Sequence, residues 1–227
     1  AYLASRLQSD QQHAALLAMS HLLDDPAPQV RLGLARALAT NPGAPRPIIL
    51  ALAEDQPEIA CTVIAKSPVF KDADLVDLVG RGDGLTRGLI ATRSGLSRVV
   101  SAALVEVGDV GEIVLLLENA DAALSRGCLA RIADRFGHDG EVRKLLLDRA
   151  DLAPEVRQRL VSKVGEALAE SSLVSNLLAG SRLERLTLEA TETATLAIAG
   201  SASRFELPAL VEHMRSSGAL TPALLIN

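Results

Sequence analysis

Aromatic side chains are nearly missing from this chain: three Phe, one Tyr and no Trp in 227 residues, or 2%. Sandwiches and barrels draw on aromatic and β-branched residues, so the scarcity excludes an all-β fold. Cysteine is almost as rare. Cys61 and Cys128 lie in apolar segments without CxxC or Cys/His spacing, which excludes a disulfide framework and reads as two small buried hydrophobes in a reducing compartment. Long hydrophobic runs are lacking too. Stretches such as Ile48 to Ala53 and Ile113 to Leu117 fall far short of the roughly 20 residues that a membrane helix needs. No excess of positive charge exists: 23 basic residues face 28 acidic ones, a net −5. Residues 1–110 carry 10 and 12, residues 111–227 carry 13 and 16. A nucleic-acid binder displaces counterions with a positive surface, so this balance argues against that class. The N-terminus has no basic segment leading into an apolar core, so the expectation is a protein without a secretion signal, in the cytoplasm. Gly218, Thr221 and Pro222 read as a stop, a cap and a first-turn Pro with too few residues after them for a helix, so the natural protein is expected to continue.

What is abundant is Leu and Ala, 40 and 36 residues, the strongest helix formers. With 48% hydrophobic and 22% charged residues the chain has the composition of a folded protein, and the expectation is all-α. Sliding the sequence on itself by 26 residues aligns Leu38, Ile64 and Ile90; Ala39, Ala65 and Ala91; Leu52, Leu78 and Leu104; and Ala53, Val79 and Val105. A breaker follows each Ala: Asn41-Pro42, Ser67-Pro68, Ser94-Gly95. Each period therefore holds one short helix, a break and a second helix. Apolar spacing places helices near 11–23, 28–40, 45–54, 57–66, 72–80, 84–92, 96–107, 110–118, 121–136, 139–149 and 154–169. The period is then lost, with helices near 171–179, 182–199 and 205–216. Val156, Leu160, Val164 and Leu168 share one face. Asp25, Asp55, Asp83, Asp121 and Asp151 each precede a helix and read as caps.

Helices of about ten residues are marginal alone, so pairs must cover each other's apolar faces by stacking. The fold class expected is an all-α, right-handed α-solenoid of stacked short helix pairs. The plainer alternative is a globular bundle with coincidental spacing. Residues 1–170 form the repeat part and 171–227 a helical continuation. Alternating Asp turns, Val30-Arg31, Val156-Arg157 and the closing Ala resemble HEAT repeats and the leucine-rich-repeat variant. Arg93 with Gly95-Leu96-Ser97, Val100-Ser101, Ala103-Leu104, Glu106 and Gly108-Asp109, then Gly218-Ala219-Leu220-Thr221-Pro222, resembles a bacterial domain family of unknown function, DUF2336. The resemblance spans most of the chain. It implies a HEAT-like fold and brings no established activity with it.

The polar feature that recurs is an Arg at the second-helix start: Arg31, Arg87, Arg126 and Arg157, four to six residues after Asp25, Asp83, Asp121 and Asp151. Such a column can grip phosphate or carboxylate groups; it can equally form a ladder of ion pairs between repeats, and Ala60 in the Arg column breaks a continuous stripe. Arg87, Arg93 and Arg98 concentrate positive charge mid-chain, beside Glu106 and Asp109. These six arginines are the candidate binding residues. His13, His21, His138 and His213 are dispersed and lack partners at ligand spacing, so no metal site follows. Gly80-Arg81-Gly82-Asp83-Gly84 has neither the strand nor the Lys-Ser/Thr of a phosphate loop and reads as an inter-helix turn. No catalytic constellation and no cofactor site emerges. The expected function is a non-enzymatic interaction scaffold or regulatory module that takes a protein or peptide on a concave face. A HEAT-like nucleic-acid-binding protein is the alternative, and self-association through end helices is open to it as well.

Overall fold

Pro57, Pro154 and Pro28 open three helices from the first turn, where a missing N–H costs nothing. The same logic of starts and stops sets the rest of the chain. The computed structural model describes residues 9–170, 180–221 and 224. Among these there are thirteen helices and no strand: α1 (Ser9–Leu23), α2 (Pro28–Leu38), α3 (Arg46–Ala53), α4 (Pro57–Lys66), α5 (Asp72–Arg81), α6 (Gly84–Ala91), α7 (Arg98–Val107), α8 (Val110–Glu118), α9 (Arg126–Phe136), α10 (Gly140–Leu147), α11 (Pro154–Glu170), α12 (Gly180–Ser201) and α13 (Leu207–Ser216). The all-α expectation holds, and the helix read at 171–179 lies outside the described residues.

Two compact units divide the chain, residues 1–123 and 124–227. The division falls within the stretch that the repeat reading treats as continuous.

In the first unit the 26-residue columns occupy equivalent places. Leu38, Ile64 and Ile90, near the ends of α2, α4 and α6, are at most 2% exposed. Leu52, Leu78 and Leu104, near the ends of α3, α5 and α7, are buried, as are Ala53, Val79 and Val105. Packing follows the columns, with α4 between α2 and α6, α6 against α8, and α5 against α7. Ala37, one position before the Leu38 column on α2, is exposed.

Two side chains fasten successive repeats at their helix ends. Arg93 donates through Nη1 to Ile64 O and through Nη2 to Ser67 O at 2.6 Å. Twenty-six positions on, Asn119 Nδ2 donates to Ala91 O at 2.7 Å and Arg93 O at 2.8 Å. Each satisfies carbonyls that a helix C-terminus leaves unpaired.

Of the five aspartates read as caps, only Asp83 caps its helix, accepting from Thr86 N at 2.8 Å. The others are drawn elsewhere. Asp25 accepts from Ala27 N, Asp55 accepts both Arg31 and Gln56 N, and Asp151 is gripped by Arg149. The helix expected from Asp121 starts at Arg126 instead, where Ser125 Oγ accepts from Cys128 N at 3.1 Å.

In the second unit α11 packs against α9, α12 and α13, and α10 against α9. Gly165 permits the close approach of α12: a Cβ there would lie 3.1 Å from Thr187 Cγ2.

Candidate functional site

The six candidate arginines do not converge. Arg31, Arg87 and Arg157 each stand fourth in their helix, and each reaches back to a carbonyl at the end of the preceding one or in the turn just after it. Arg31 Nη1 donates to Asp25 O at 2.7 Å, Arg87 Nε to Val79 O at 2.9 Å, and Arg157 Nη2 to Arg149 O at 3.0 Å. Arg31 also forms a two-pronged pair with Asp55, at 2.6 and 2.9 Å, which raises its own pKa and lowers that of Asp55, chiefly through the hydrogen bonding. Arg93 is tied to the end of α4 and lies 5.6 Å from the centroid of the Phe70 ring. Arg126 is exposed and pairs with Glu155 at 3.3 Å and Glu206 at 3.6 Å. Arg98 is exposed. Arg87, Arg93 and Arg98 thus form no common anion site, because two of the three heads are turned onto backbone carbonyls.

The spacing rule missed a member of this column. Arg143, fourth in α10, donates through Nη1 to Gly137 O at 2.9 Å and His138 O at 3.3 Å, four residues after Asp139, which caps α10 through Glu141 N and Val142 N. Reading Asp121 with Arg126 as one period hid it.

Polar groups do converge in the second unit, in a cleft of about 440 Å³ between α9, α11 and α13. The sequence leads there by ordinary helix geometry. Leu210 and Met214 bury one stripe of α13, and His213 lies on that stripe three residues from one and next to the other, so it is carried inward. Gly218, with φ +70°, ends the helix in a left-handed turn: Ala219 N donates to Met214 O at 2.9 Å and Gly218 N to Arg215 O at 3.4 Å. On α11, Gln158 and Ser162 are one turn apart and bonded, Nε2 to Oγ at 3.1 Å. Gln158 is 1% exposed.

That bond fixes the histidine. With its amide nitrogen donating to Ser162, Gln158 offers Oε1 as an acceptor, and His213 Nε2 lies 3.1 Å from it. His213 therefore carries its proton on Nε2 and presents the Nδ1 lone pair to Arg159 Nη2 at 3.3 Å. Arg159 Nη1 in turn donates to Asp134 Oδ2 at 2.5 Å. Burial first, and the Arg159 charge second, hold the imidazole below its ordinary pKa, against the opposing pull of Glu155 and Asp134. The neutral ring is the form the network needs. Around this floor stand Lys163 and Glu166, paired at 3.0 Å, with Ser216 and Ser217.

Both nitrogens of His213 are occupied, so the ring has neither a free lone pair nor a free proton for a substrate. The arrangement positions a rim of mixed charge and hydroxyls on a saturated floor. Sequence reading set His213 aside as dispersed, since its partners lie 54 and 55 residues away.

A family model described as an uncharacterised protein conserved in bacteria, DUF2336, matches residues 59–227. No curated protein matches the chain, and no solved structure does.

Proposed function

The chain belongs to the DUF2336 family of uncharacterised bacterial proteins, and from that premise we propose that it is a non-enzymatic interaction module: HEAT-like helix pairs stacked as a right-handed α-solenoid, with a protein or peptide partner taken on the concave face. Supporting the stacking are the buried 26-residue columns of α2 to α7 and the Arg93 and Asn119 fasteners between successive repeats. Supporting the binding role is the cleft over His213. Its floor is internally satisfied while Lys163, Glu166, Ser216 and Ser217 remain at the rim. Solvent-accessible pairs such as half-buried Lys163 with exposed Glu166 contribute little to stability, so they can exchange partners at low cost. Rims of protein interfaces have this polar, solvent-accessible character.

The test compares crosslinked affinity purification from the bacterial host of the unaltered chain and of a Lys163→Glu, Ser217→Arg variant. The expected outcome is a protein retained by the former and lost from the latter, which then binds the purified chain in stoichiometric ratio. Identical recoveries from both, or none from either, would sink the reading. A mobility shift of DNA or RNA that the variant abolishes would establish the nucleic-acid alternative in its place.

A further inference from the structure

The ring of His213 stands between two partners with opposite demands, and only its neutral form meets both. Arg159 Nη2, 3.3 Å from Nδ1, belongs to a guanidinium, which donates and never accepts, so Nδ1 must keep its lone pair. Gln158 Oε1, 3.1 Å from Nε2, takes the one proton the ring carries. A second proton, on Nδ1, would face the guanidinium donor to donor and charge to charge. Arg159 is itself held in place, with Nη1 on Asp134 Oδ2 at 2.5 Å.

The rest of the grip on α13 is slight. This helix packs on α11, and its buried residues are Leu210 and Met214; ten residues are too few for a helix to persist once undocked. The charged groups around the ring are Arg159, Lys163, Glu155 and Glu166 from α11 and Asp134 from α9. Each of these carboxylates already has its own cation: Glu155 has Arg126, Glu166 has Lys163 and Asp134 has Arg159. We infer that His213 is a proton-operated latch, whose protonation undocks α13 from α11 and removes the wall that α13 gives the cleft, while the first unit stays folded. A ligand shifts an equilibrium only by its differential affinity for the two states. Burial and the Arg159 charge hold the docked ring below its ordinary pKa, whereas an undocked ring meets water, so the proton prefers the undocked state and the latch opens as pH falls. As a control on binding at this cleft the latch rests on the partner reading above. The undocking itself is measurable with no partner present, so the two readings can fail separately.

The test is hydrogen–deuterium exchange by mass spectrometry on the full chain between about pH 8 and about pH 5, the interval in which histidine changes charge, with each rate divided by the intrinsic rate at that pH. Protection of residues 207–216 should fall about tenfold or more toward the acid end, because two unit charges about 4 Å apart at a protein surface shift an equilibrium by at least that factor. Peptides from α2 to α8 should keep theirs. Arg159→Gln removes the opposing charge and offers Nδ1 an acceptor, so protection of 207–216 should lose most of its pH dependence, whatever its level. His213→Gln, with nothing to titrate at this position, should behave in the same way. Constant protection of 207–216 across the range, an equal loss in α2 to α8, or an undiminished pH dependence in a folded Arg159→Gln or His213→Gln chain would overturn the latch.

Discussion

Arg93 donates to Ile64 O and Ser67 O, two carbonyls at the end of α4, while its guanidinium stacks near Phe70. Removing it leaves both carbonyls without that donor in a half-buried setting. Charged hydrogen bonds contribute about 1.5–3 kcal/mol each and the orphaned acceptors add desolvation, so Arg93→Ala should cost about 2–4 kcal/mol, read as a lower urea midpoint. Lysine should rescue little, since a point charge cannot bridge two acceptors as the planar fork does. His213 makes the complementary case. Its pKa is depressed in the folded chain, by burial and then by Arg159. A base disfavoured from taking its proton contributes stability above its unfolded value of about 6.5 and loses it as pH falls through the folded value. The carboxylates held down by their partners, Asp55, Asp83, Asp151, Glu206 and Glu212, lose theirs only below the ordinary carboxylate range of about 4. Between about pH 7 and 5 the histidine should therefore dominate. Thermal melts should show stability declining over that interval, and His213→Gln should flatten the decline; a decline of the same size in that variant would place its origin elsewhere.

Along single elements the burial pattern separates what spacing alone could read from what it could not. Ile90 is fully buried on α6, while Leu85 of the same helix is 55% exposed. Ile90→Ala should cost about 2–5 kcal/mol through lost burial and a cavity, and Leu85→Ala should stay within about 0.5 kcal/mol, both measured by denaturant unfolding. Equal effects would show that the 26-residue column does not mark the core. The column was legible because three repeats with near-identical spacing bury Leu38, Ile64 and Ile90 alike. The aspartate caps were not. A cap needs a side chain at one particular backbone position, and a carboxylate one or two residues early finds another donor: Asp55 meets Arg31 and Asp25 meets Ala27 N. Arg143 fits the same spacing, four residues after the capping Asp139, and escapes notice because the column pairs Asp121 with Arg126, where Ser125, not an aspartate, starts α9.

At the scale of the whole chain, the candidate site was illegible because it is tertiary: Gln158 and His213 meet across 55 residues of sequence, and neither has a local motif. Helix periodicity located α11 and α13 but carried no information on which faces meet. The same limit governs the division of the chain. A boundary after residue 170 follows from where the period fades, whereas the compact units divide at 123/124, between the end of α8 at Glu118 and the start of α9 at Arg126. The two boundaries predict different fragments. Residues 1–123 retain every helix that covers the Leu38 to Leu104 columns, so this fragment should unfold in one cooperative transition by circular dichroism. Residues 1–170 keep α9 to α11 but lose α12 and α13, which uncovers Leu160 and strips Gln158, 1% exposed in the whole chain, of its His213 partner. That fragment should add a second, weaker transition at lower denaturant and bind a hydrophobic dye that residues 1–123 do not. A single sharp transition for residues 1–170, with residues 1–123 unfolded, would mean that the helices after residue 123 complete the first unit and do not need α12 and α13 to close their own core.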